Sequence, residues 1–273
     1  MALEKSFEAI SYAVDSSVAT IALNRPEKLN AINAKMLGEI ELALTIAESD
    51  PGIKVIVMTG RGRAFSAGFD LREVQTGPVS VEEKRVGLKR KFDMIMRFWD
   101  SPKPTIAAVN GYCLGGAFEL SLACDITIAG RSATMGEPEV KFGSGTMAML
   151  LPLISGPKVA KALLLSGDDK VSAVRAYELG IVTKVVDDET LQDEAMNLAR
   201  QIASADFEAV KLTKRAINET MDTIGMRDAL AKSFEIDVLI ETSNAPAKLE
   251  FNRIQKEQGL KAALAWRDAQ GSA

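Results

Sequence analysis

Between Lys103 and Asp125 the chain reads K-P-T-I-A-A-V-N-G-Y-C-L-G-G-A-F-E-L-S-L-A-C-D, and inside those charged ends Glu119 is the sole Asp, Glu, Lys or Arg. Thr105 to Val109 is an apolar run expected to form a strand. Asn110, Gly111, Gly115 and Gly116 then mark a turn, and an apolar helix carrying Glu119 follows. Glycines at a strand-to-helix turn let backbone N–H groups approach a ligand closely, and the start of the helix adds partial positive charge. That combination suits a developing anion. A carboxylate one turn into an apolar helix costs free energy to bury, so it is satisfied by backbone groups, raised in pKa, or used in chemistry.

Two other stretches add polar groups of the same kind. Ile53 to Thr59 reads as a strand buried on both faces, and it runs into a second glycine loop, G-R-G-R-A-F-S-A-G-F-D-L, Gly60 to Leu71. This loop has neither the Gly-Lys-Ser/Thr of a P-loop nor the dinucleotide spacing. Paired with the loop at Gly111 to Gly116, it could aim two N–H donors at one oxygen. Further on, Glu137 and Glu139 flank Pro138, a pattern that turn chemistry alone would explain.

Composition excludes much else. The chain has 273 residues and no histidine, which removes Ser-His-Asp and Cys-His catalysis, His-ligated metals and His bases. Acid–base work falls to Glu, Asp, Lys, Tyr or Cys. Cys113 and Cys124 are too few and wrongly spaced for zinc and read as core thiols, so no metal site is expected. A net charge of −4 argues against a nucleic-acid or membrane-surface protein. No leader peptide or membrane-spanning run is visible, which points to a cytoplasmic protein.

The elements that would position these groups follow from periodicity. Ile10 to Leu23 alternates around a turn as a hairpin, and Ala34 to Ser49 is helical. Val74 to Val81 reads as a mobile connection, and Glu82 to Trp99 as an amphipathic helix. Strands are expected at Asp125 to Ala129 and Val182 to Val186, with helices at Ala160 to Leu165 and from Ser172 between them. From Leu191 onward the pattern is helical, broken near Asn244-Ala245-Pro246 and Gly259. Strands and helices therefore alternate through the first two thirds, the last third is helical, and no sequence repeat is visible.

The segments N-R-P-E-K-L-N-A-I-N, V-I-V-M-T-G-R-G-R-A-F-S-A-G-F-D-L, K-P-T-I-A-A-V-N-G-Y-C-L-G-G-A-F-E-L-S-L-A-C-D-I and G-E-P-E-V-K-F-G, in this order and spacing, resemble the crotonase, or enoyl-CoA hydratase/isomerase, family over nearly the whole chain. The resemblance implies an α/β fold: a crotonase-like spiral of β-β-α units over residues 1–200 holding the active site, then a helical oligomerisation region over 201–273. It implies a homo-trimer or dimer of trimers, an acyl-CoA thioester as substrate and no separate cofactor.

Residue by residue, the resemblance gives Ala67 and Gly116 the backbone N–H groups that hold the thioester oxygen, worth about 3–4 kcal/mol each as an enolate forms. It gives Glu119 and Glu139 the paired carboxylates that hold a water, one taking its proton and the other supplying one to the α-carbon. Having both favours hydration; double-bond isomerases of the family typically retain only the Glu139 position. Carboxylate-based hydrolysis of the thioester is a third chemistry, and a non-catalytic or RNA-binding member of the fold a fourth. Lys28, Arg63, Ala64, Ser66, Ala67 and Asp70 are expected to line the coenzyme A end. After Glu139 the run Gly143-Ser144-Gly145-Thr146-Met147-Ala148 replaces the family's P-G-A-G-G-T, bringing the bulk of Met147 and Met149 towards the acyl pocket. Near the C-terminus Trp266, with Arg267 beside it, stands where hydratases often carry a Lys.

Overall fold

A computed structural model describes residues 7–73 and 80–270. Most of the connection expected at Val74 to Val81 lies outside the described residues. The hairpin forms as the alternation predicts: β1 (Ile10–Asp15) pairs antiparallel with β2 (Val18–Leu23), Ile10 opposite Leu23. Helix α1 (Ala34–Ser49) starts at Asn33, whose side chain accepts the Met36 N–H. Helix α2 (Val81–Asp100) starts with a capping box between Ser80 and Glu83.

The body is a staircase of strand pairs. Strand β3 (Val55–Gly60) joins the first sheet and β4 (Ala64–Ser66) turns away into a second; β5 (Thr105–Val109) and β6 (Tyr112–Leu114) repeat the step. Helix α3 (Gly116–Ala123) intervenes, and β7 (Ile126–Gly130) and β8 (Thr134–Gly136) make the third step. Helices α4 (Leu151–Ser155) and α5 (Pro157–Ser166), strand β9 (Val171–Ser172), helix α6 (Ala173–Glu178) and strand β10 (Lys184–Val186) complete the core. The six-stranded sheet has the order β1-β2-β3-β5-β7-β10 and the four-stranded sheet β4-β6-β8-β9. This is the spiral of β-β-α units. The structural repeat has no sequence signature because each small-sheet strand is only two or three residues long.

Full burial of β3 and β5 explains their unbroken apolar runs. Ile56, Met58, Ala107 and Val109 face one core with α1. Val55, Val57, Ile106 and Ala108 face the other, closed by Ala195 and Ala199 of α7 (Leu191–Ser204). Cys113 and Cys124 are free and buried, as expected of core thiols, and burial pushes the Cys113 thiol up to about 12.

The last third is helical: α8 (Phe207–Thr223), α9 (Met226–Thr242), α10 (Pro246–Gln258) and α11 (Leu260–Gln270). Buried Lys214 fastens α8 to the core, with Nζ 2.8 Å from Asp125 Oδ2 and 3.1 Å from the Lys103 carbonyl. Removing one partner strands the other, so Lys214→Ala is expected to lower the unfolding free energy by about 2–3 kcal/mol. Denaturant titration at fixed m-value measures it. Helices α10 and α11 fold back on the core, where Phe251 stacks on Phe142 at 5.0 Å. Among the described residues no helix is long and apolar enough to cross a membrane.

Candidate active site

A cavity of about 470 Å³ opens where the edge of the small sheet meets the N-terminus of α3. Gly115 precedes that helix with φ +55°, a conformation that favours glycine, and a Cβ there would lie 2.2 Å from Glu139 Oε1. A Cβ on Gly116 would lie 2.2 Å from the Phe69 ring. Both glycines are therefore required by close approach, and the approach brings the two glycine loops together.

Glu119 sits one turn into α3 and is 1% exposed. Its oxygens accept N–H bonds from Met147 and Ala148, each at 3.0 Å. Burial pushes the carboxyl up to about 8 against the pull of these donors, and the negative charge of Glu139 adds to the rise. The backbone-satisfied and the raised-pKa readings of this residue both hold. Glu139 opens the short 3-10 turn Glu139–Phe142, and burial raises it to about 7, with the charge of Arg267 opposing the rise. Its Oε2 is buried without a hydrogen-bond partner.

Glu137 is more than a turn residue. It is 2% exposed, both its carboxyl oxygens are buried without a hydrogen-bond partner, and burial and the charge of Glu139 hold its pKa well above the carboxylate range. The E-P-E motif thus supplies an acid that stays protonated beside one that ionises near neutrality. Sequence reasoning passed over Glu137 because a proline between two acids is common in turns.

One expected donor is corrected. The Ala67 N–H donates to the Leu29 carbonyl at 2.9 Å and is not free for a ligand. Two residues on, Phe69 bridges to Ile32 through its neighbours' groups, leaving its own N–H directed away from that contact. Among the described residues neither the Phe69 N–H nor the Gly116 N–H has a hydrogen-bond partner. The loops touch: a Cβ on Gly68 would lie 3.4 Å from the Gly116 nitrogen. The available pair is Phe69 and Gly116, the latter at the positive end of a helix.

Lys28, Arg63, Ala67 and Asp70 line the same cavity as Gly116, Glu119 and Glu139. Asp70 is held by Arg25 at 3.2 Å, so it braces the loop. Ala64 and Ser66 do not line the cavity. The Ala64 carbonyl accepts from Asn30 Nδ2 at 2.7 Å, and the Ser66 hydroxyl donates to the Asn30 carbonyl at 2.8 Å. Both lie in a strand whose side chains and carbonyls are spent on the neighbouring loop. Helix α11 also reaches the site through Leu260, Leu264 and Arg267, and Arg267 lies 3.6 Å from Asp169. Asp237 of α9 and Lys91 of α2 are further lining residues that the sequence did not single out.

The profile of the enoyl-CoA hydratase/isomerase family matches residues 13–249. The chain belongs to that family. A crystal structure of an enoyl-CoA hydratase/isomerase from Xanthobacter autotrophicus Py2 is 50% identical and covers 97% of this chain and 99% of its own, with a TM-score of 0.94. The crotonyl-CoA hydratase of Syntrophomonas wolfei is 37% identical over 224 residues, 80% of this chain and 84% of that protein. The 1,2-epoxyphenylacetyl-CoA isomerase of Escherichia coli is 38% identical over 227 residues, 79% of this chain and 86% of its own. The enoyl-CoA hydratase/isomerase family thus includes relatives of this chain named for hydration and for isomerisation.

Proposed function

We propose that the protein adds water across the α,β double bond of an enoyl-CoA thioester. The observation that carries this reading is that Glu119 and Glu139 line one cavity beside the unengaged N–H groups of Phe69 and Gly116. A water proton goes to the ionised member of the pair, and the water oxygen bonds to the β-carbon. The π electrons move onto the thioester oxygen, where the two N–H groups stabilise the enolate. The enolate then collapses as the other carboxyl gives its proton to the α-carbon. Exposed Lys28 and Arg63 stand at the coenzyme A end as cations for its phosphates. No separate cofactor enters the balance.

The test is the absorbance of the conjugated thioester on mixing with crotonyl-CoA, followed by identification of a 3-hydroxyacyl-CoA. The pH profile is a further expected result. With Glu139 near 7 and Glu119 near 8, the coupled pair holds one proton between those values. Below about 7 the base is protonated; above about 8 the acid is lost. A narrow bell in kcat/KM centred between them is expected, read from initial rates across buffers of constant ionic strength.

Isomerisation is the second reading, favoured by one observation: both Glu119 oxygens are tied to backbone N–H groups, whereas Glu139 keeps a buried oxygen without one. A single carboxylate moving a proton between the α- and γ-carbons would use Glu139 alone. A shifted double bond with no hydrated product would establish it.

Exposed Leu212, Ile217, Ile224, Ile236 and Leu239 on or beside α8 and α9 support assembly as a trimer or dimer of trimers. Light scattering tests this.

A further inference from the structure

On α9, two acids one turn apart behave differently. Glu241 is fully engaged, with Lys84 and Lys248 each at 3.0 Å from Oε2 and the Ser144 hydroxyl on Oε1. Asp237 is 2% exposed, and both its oxygens are buried with no hydrogen-bond partner. It lines the cavity that holds Glu119 and Glu139 and rests against Gly145, where a Cβ would lie 2.1 Å from Oδ1. Its neighbour Val238 packs with Leu88, Met147 and Phe234, an apolar cluster joined by Phe69. Asp237 therefore shares the cavity with the two candidate carboxylates and adjoins, through Val238, a residue of the apolar cluster. On the facing helix α2, Lys91 lines the same cavity and lies 4.7 Å from the Phe69 ring centre.

A buried carboxyl with two unused oxygens is costly, and an alkyl chain laid over it would exclude water while offering nothing in exchange. A hydroxyl can donate to one partner and accept from another, so it answers both the unpartnered carboxyl and the Lys91 ammonium. We propose that Asp237 is a specificity residue that hydrogen-bonds a hydroxyl on the acyl chain, so that the preferred thioester carries a hydroxyl beyond the reacting double bond instead of a plain alkyl tail. This inference rests on the enoyl-CoA reading for the thioester itself. It adds the acyl class. A site built around such a contact rejects the analogue lacking it far more strongly than an apolar pocket rejects an added methylene.

The test is calorimetric binding of saturated acyl-CoAs matched in length, with and without a hydroxyl on carbons four to six, to the natural chain and to Asp237→Leu. Saturated chains cannot be hydrated, so the result is independent of turnover. At least one hydroxylated member is expected to bind the natural chain about tenfold or more tighter than its alkyl match. In Asp237→Leu that preference is expected to fall to about one while the alkyl chain binds more tightly, a gain that a merely structural role would not produce. Equal affinity of the natural chain for every hydroxylated and alkyl pair overturns the inference even if the variant fails to fold, and so does a preference that survives in Asp237→Leu. Turnover of crotonyl-CoA without any such preference would leave the hydratase reading standing and this one not.

Discussion

Glu139→Gln is expected to lower kcat for hydration of crotonyl-CoA by about 10²- to 10⁴-fold, the usual contribution of a positioned acid–base group. The amide keeps the size of the side chain and the contact with Gly115 but cannot carry a proton to or from the reacting atoms. Its stability should move the other way. Burial holds the folded Glu139 pKa at about 7, above its ordinary 4.5. The native state therefore binds this proton more tightly than the unfolded chain does. That contribution is fully present at acid pH and is lost as pH rises through about 7. Gln removes the loss, so the variant should be at least as stable as the natural chain at pH 8 and less active. Glu119→Gln should lose activity on the same scale and also lose stability, because its amide can accept only one of the two N–H bonds from Met147 and Ala148. Thermal unfolding beside initial rates distinguishes the two variants.

Gly116→Ala carries the second large effect. The added methyl would lie 2.2 Å from the Phe69 ring, so the ring or the loop carrying it must shift beside the two proposed oxyanion donors. A single methyl group is thus expected to disturb the pair of N–H groups. Removal of one such donor costs about 10²- to 10³-fold in kcat, and a loss of at least that order is expected with smaller change in KM. The control is Gly87→Ala on the exposed face of α2, where an added Cβ meets nothing within 4 Å. There the same substitution should leave kcat unchanged and add about 0.5–1 kcal/mol of stability through helix propensity. If Gly116→Ala retained full activity, the thioester oxygen would have to be held elsewhere.

The run from Gly143 to Ala148, which departs from the family pattern, has a specific consequence. Met147, expected with Met149 to bring bulk towards the acyl pocket, is buried in a cluster with Leu88 and Phe234 and lines the cavity. Its backbone does something the side chain could not suggest: with Ala148 it supplies the N–H groups that orient Glu119. Segment and carboxylate are 28 residues apart, and their pairing exists only in the folded chain.

The long elements and the candidate carboxylates Glu119 and Glu139 are legible in the order of residues alone. The hairpin, α1, β3, β5 and the helical last third follow from periodicities of two and 3.6 residues, which report burial of one face and survive without tertiary information. Glu119 stood out because it is the lone charge in an apolar helix. The absence of histidine restricted the chemistry before any fold was known. The remainder rests on contacts between distant segments, where local patterns are silent. The strands β4, β6 and β8 are too short for a period and exist because neighbouring strands complete their hydrogen bonds. Ala67 and Phe69 are two residues apart in one loop, and only the pairing with Leu29 and Ile32 shows which N–H is spent and which is free. Glu137 resembled a turn residue until burial beside Glu139 made it an acid, and Asp237 resembled one solvated carboxylate among many on a helix until α9 packed it, unpartnered, against Gly145. Ionisation and hydrogen-bond availability depend on groups brought together from distant parts of the chain, and no local spacing encodes them.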